Sequence, residues 1–96
     1  MGDNIVRDRH VGRFRIAIDL INDDPLSALE VLRDVIVLRA EFMVIHNQMA
    51  YVGIHPDFAE LEEGHEAPRY EATLAIETDG DGNVVRRERQ WVPVAA

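Results

Sequence analysis

Apolar and polar positions alternate most plainly late in the chain. Tyr70, Ala72, Leu74 and Ile76 are separated by Glu71, Thr73, Ala75 and Glu77, the period of two that marks a strand with one buried face. Asp79-Gly80-Asp81-Gly82-Asn83 follows and predicts a hairpin turn. Residues 84–94 then return as the partner strand, with Pro93 near its end, where a residue without an amide proton is tolerated. Earlier, residues 41–45 and 48–54 read as two extended runs around His46-Asn47. Asparagine tolerates the positive φ that such a turn needs.

The first third of the chain follows a different rule. Asp24 precedes Pro25, and proline fits the first position of a helix, where its missing amide proton is no loss. The spacing predicts a helix from Pro25 with Leu29, Leu32 and Ile36 on the buried stripe and Ser27, Glu30, Arg33 and Asp34 towards water. Val35-Ile36-Val37-Leu38 is apolar all round and fits either a continuation of that helix to about residue 41 or the start of a strand. Residues 11–22 fit two periods. Val11, Phe14, Ala17, Ile18 and Ile21 share a helix face, while Phe14, Ile16, Ile18 and Leu20 share a strand face. The helix is preferred here, because it would pair with the helix from Pro25.

The expected architecture is therefore α+β: N-terminal helical segments packed on a small antiparallel β-meander of three to four strands. Ninety-six residues make one domain, 1–96, with residues 1–10 as a loose N-terminal arm and 57–68 as an acidic loop.

Composition narrows the chemistry. There is no cysteine, which excludes disulfides, thiolate catalysis and cysteine–zinc sites and leans towards a reducing compartment. Neither a signal peptide nor a membrane-spanning run is evident, so a cytoplasmic location and no membrane contact are expected. The net charge is −8 and is unevenly placed. Between Ile16 and Val85 stand fifteen acidic residues and three arginines, Arg33, Arg39 and Arg69, so 3 − 15 leaves that stretch at about −12. Such a surface repels polyanions and attracts a basic partner.

Several motifs carry candidate chemistry. The single serine, Ser27, lies outside any nucleophile elbow, which disfavours nucleophilic catalysis. His55, Asp57, Glu60, Glu63 and His65 supply metal-type ligands within eleven residues, but without a standard spacing. No bound metal or other cofactor is expected. Asp79–Asn83 resembles the start of a calcium loop, yet its twelfth position would be Gln90 and its flanks are strands. Arg86, Arg87, Arg89 and Trp91 place basic and aromatic groups on one hairpin, as in some single-strand binders. The overall acidity disfavours direct nucleic-acid binding, and pairing of those arginines with carboxylates is the simpler expectation.

These observations favour a non-enzymatic interaction protein that docks on a basic surface of a protein partner. The candidate partner-binding residues are Asp57, Phe58, Glu60, Leu61, Glu62, Glu63 and Glu66, with Glu71 and Glu77 joining if the next strand faces the same way. Phe58 and Leu61 either tuck the loop onto the body or give the contact an apolar centre. Small acidic inhibitors of nucleic-acid machinery, phage anti-CRISPR proteins and DNA mimics among them, are similar in size and charge, a likeness of class that no motif carries. The alternatives are a small metal-dependent enzyme using the 55–65 cluster and a self-assembling accessory subunit, a homodimer paired through an exposed strand edge.

Overall fold

Two antiparallel sheets meet along one strand. The structure, a computed structural model, describes residues 9–94. Strand β1 (Val11–Ala17) leads directly into helix α1 (Ile18–Asp23), then helix α2 (Pro25–Leu32), strands β2 (Ile36–Met43) and β3 (Gln48–Ile54), and the hairpin of β4 (Tyr70–Thr78) and β5 (Val84–Pro93). The first sheet has the order β1-β3-β2 and the second is β4-β5. Arg13 joins them: its amide donates to the Pro68 carbonyl at 2.8 Å, and it bridges in parallel to Arg69. The α+β class and the antiparallel pairing agree with the sequence. The single meander does not, because the strands divide into a sheet of three and a sheet of two.

Residues 11–17 are strand rather than helix. Gly12, Phe14 and Ile16 are buried while Arg15 and Ala17 are exposed, so the period of two prevails until Ile18. The helical alternative loses because β3 offers β1 a full ladder, from Val11 opposite Ile54 to Ala17 opposite Gln48. Gly12 is required there for space. A Cβ at that position would lie 2.8 Å from atoms of both the Phe58 and Tyr70 rings.

Helix α2 begins as its sequence demands. Asp24 is the N-cap: its carboxylate accepts from the Ser27 amide at 3.3 Å and from the Ser27 hydroxyl at 2.5 Å. The buried face differs from the leucine stripe. Ser27, Ala28 and Val31 are buried, whereas Leu26 and Leu29 are more than half exposed. Small residues let the helix sit close against the body, and the hydroxyl of Ser27 also receives the Nε of Arg87 at 3.2 Å. The helix ends at Leu32, well before residue 41. Asp34 adopts φ +62°, a left-handed conformation that aspartate tolerates and that stops a helix, and 36–43 become strand.

The remaining turns follow the sequence. Asn47 has φ +52° in the β2–β3 turn. In the β4–β5 turn the Asp79 carboxylate accepts from the amides of Asp81 and Asn83 at 2.9 and 3.0 Å, and Gly82 takes φ +85°. This carboxylate is committed to holding a turn, as expected of a hairpin.

The core is aromatic. Phe14 stacks on Tyr51 at 5.2 Å and meets Trp91 at 4.9 Å, and Phe58 stacks on Tyr70 at 4.6 Å and meets Trp91 at 4.9 Å. Ile16, Ala28 and Val31 complete it. Phe42, at 50% exposure, is the aromatic left outside. Of the expected N-terminal arm, residues 1–8 lie outside the described residues. Arg9 and His10 are tied down: the Arg9 carbonyl accepts from the Leu61 amide at 2.7 Å, and His10 bridges to Glu60.

Candidate functional site

The acidic loop is built on a fixed base. Phe58, only 1% exposed, plugs into the aromatic core and holds the chain there. The hydroxyl of Tyr70 accepts from the Ala59 amide at 2.7 Å, Nδ1 of His10 contacts the Phe58 carbonyl at 2.7 Å, and the Leu61 amide donates to Arg9. Leu61 is half-buried. Gly64, with φ +83°, lets the chain turn so that the His65 amide reaches the Glu62 carbonyl at 3.1 Å.

The side chains of Asp57, Glu60, Glu62, Glu63 and Glu66 all stand in solvent. One of the sequence-based assignments changes. Phe58 is an anchor and offers no surface to a partner, because burying its ring in the core stabilises the fold more than exposing it would. Glu71 and Glu77 each stand beside arginines. Glu71 lines a groove of about 490 Å³ together with Arg13, Arg15, Arg39 and Arg69, and Glu77 stands opposite Arg86 on β5.

His55 takes a structural position. It is 6% exposed, its Nδ1 accepts from the Asp57 amide at 3.0 Å, and its Nε2 lies 2.9 Å from Nη2 of Arg89. Burial, with Arg89 adding to it, holds its pKa below the ordinary 6.5. The other histidine of the 55–65 cluster, His65, lies in the open beside Glu62 at 3.6 Å. Among the described residues no three histidine or carboxylate side chains converge on a common point. The cluster is dispersed because His55 is drawn inwards while the loop acids point out.

The arginines of β5 also divide. Arg87 lies 3.8 Å from the Asp24 carboxylate and bonds Ser27, at the start of α2. Arg89 donates through Nη1 to the carbonyls of Val31 at 2.9 Å and Glu30 at 3.3 Å, at its end, and stacks over Trp91 at 4.8 Å. One strand thus grips both ends of one helix. The Arg89 cation sits where unpaired carbonyls and the negative end of the helix dipole favour it. Arg86 alone of the four hairpin residues faces outward, and it pairs with Glu88 at 2.9 Å. No sequence signal linked Arg89 to residues 30–33, some 56 positions away.

No helix among the described residues is long and apolar enough to cross a membrane. Comparison of the chain with family models, with curated proteins and with solved structures finds no match.

Proposed function

We propose that this is a non-enzymatic interaction protein that docks on a basic surface of a protein partner through the loop 57–66. The supporting observation is a contrast within that loop. Its backbone is pinned over residues 58–61 by Phe58, Tyr70, His10 and Arg9 and turned back on itself from Glu62 to His65, while all five of its carboxylates are in solvent. A mobile acidic segment would relieve its own repulsion by spreading. A pinned one keeps the charges together, and a basic surface relieves the repulsion on contact. Because the loop is already ordered, binding loses little further conformational freedom. The local field also raises the rate of encounter. Leu61, half-buried beside the acids, supplies the apolar component in place of Phe58.

Nucleic-acid machinery presents basic surfaces of this kind, so inhibition of it, in the manner of phage anti-CRISPR proteins or DNA mimics, is the use proposed for the loop. The absence of cysteine suits the proposed cytoplasmic setting. The test is capture from a cell lysate on the immobilised protein. A basic partner is retained at low salt, released at high salt, and not retained by the Glu62→Arg, Glu63→Arg double variant. Retention of the same partner by the variant, or capture of none by the unaltered protein, contradicts the proposal.

A further inference from the structure

Strand β2 lies at the edge of its sheet and has no covered face. It pairs with β3 on one side only, and seven of its eight residues are exposed. The exposed residues include Ile36 at 59%, Leu38 at 55% and Phe42 at 50%, and Val44 and Ile45 continue the apolar run into the turn. Edge strands are ordinarily shielded by charge or by bulges. Here the ladder shifts between Val37 and Arg39, so any bulge lies at Leu38 and Arg39–Met43 remain regular. The charges on the regular part are of opposite sign, Arg39 and Glu41, two residues apart on one face. Such a pair does not repel every other strand. It selects a register.

We propose that β2 pairs antiparallel with β2 of a second copy about a two-fold axis at Ala40, giving a continuous six-stranded sheet. Residues directly opposite one another in an antiparallel pair share a face, so each allowed register has one residue opposite its own copy. Centring on Arg39 opposes two arginines, and centring on Glu41 opposes two glutamates. Centring on Phe42 sets Glu41 against Met43 and leaves both charges unpaired. Only Ala40 at the centre places Arg39 opposite Glu41 twice, within the regular part of the strand. The same register covers Phe42, the aromatic that the core does not use. This isologous contact closes on itself and does not propagate. It uses none of the carboxylates of the 57–66 loop and stands or falls separately from that proposal.

Sedimentation of the full chain tests it. The expected species is a dimer of the 10.9 kDa chain. Arg39→Glu alone and Glu41→Arg alone each set like charges opposite one another, and each should weaken the dimer about tenfold or more. An equimolar mixture of the two single variants should form a heterodimer, and the double exchange should restore the homodimer. Circular dichroism of each variant should be unchanged, since both side chains are exposed. A monomeric unaltered protein at high micromolar concentration overturns the proposal. So does a dimer indifferent to both variants but dissociated by Leu29→Asp, which would place the contact on the exposed face of α2.

Discussion

Nε2 of His55 lies 2.9 Å from Nη2 of Arg89, while Nδ1 of the same ring receives the Asp57 amide at 3.0 Å. Both approaching groups are donors, and a neutral imidazole has a single acceptor nitrogen. The ring therefore satisfies one donor fully and faces the other with its own N–H. A protonated ring would oppose both. Geometry thus adds to burial in keeping His55 neutral, against the weaker pull of the Asp57 and Asp34 carboxylates.

The sign of the pH dependence follows. The unfolded chain takes up the His55 proton near pH 6.5, and the folded protein does so only at lower pH. The unfolded state then binds more protons, so stability falls as pH falls from about 6.5 through the folded pKa and is full above that window. Thermal melts from about pH 7 to about pH 5 should show this loss. His55→Asn, which keeps an acceptor for the Asp57 amide, should remove that part of the slope. An unchanged slope in the variant would assign the effect to the carboxylates instead.

Arg89 is the group on which α2, His55 and Trp91 converge. Arg89→Met keeps much of the stem and removes the hydrogen bonds to the Val31 and Glu30 carbonyls, and the expected loss is on the order of 3 kcal/mol in a denaturant titration. Arg89→Lys should recover only part, because a single ammonium does not reproduce the fork. A loss within experimental error for Arg89→Met would show that water serves those carbonyls equally well.

Gly12→Ala places a methyl group against two aromatic rings that cannot swing aside. The expected destabilisation is about 1–3 kcal/mol, and the companion change Phe58→Leu should relieve part of it by making room. Additive losses in the double variant would mean that the clash lies elsewhere.

Asp24→Ala removes the cap of α2 together with the contacts to Ser27 and Arg87. The melting temperature and the helical dichroism should both fall, and Ser27→Ala should reproduce part of the change. The Ser27 hydroxyl lowers the Asp24 pKa, so this contribution is present above the ordinary carboxylate pKa and is lost as the carboxylate protonates.

What could be read from the chain was local chemistry. Asn47, Asp79–Asn83 and Asp24-Pro25 each settle a turn or a cap with groups a few residues apart, and the structure has all three. Residues 11–17 could not be settled, because the same apolar positions fit both periods and the partner strand β3 decided between them. The end of α2 was hidden for a related reason. Asp34 marks it locally, but the carbonyls it frees are held by Arg89 from the far end of the chain. In the candidate site, the exposure of the acids was legible from their density. The fate of Phe58 was not, since an apolar residue in an acidic run serves equally as an anchor or as a contact until the core around it is known.

The carboxylates of 57–66, gathered on a backbone fixed at 58–61, are proposed to meet a basic partner. The most direct measurement is the association rate of the captured partner as a function of salt, for the unaltered protein and for the Glu62→Arg, Glu63→Arg variant. Exposed charges are screened over about 8–10 Å near physiological ionic strength, so the rate for the unaltered protein should fall steeply as salt rises. The variant should associate at least about tenfold more slowly at low salt, with a shallower slope and an unchanged melting temperature. Equal rates and equal slopes for the two proteins would contradict the account.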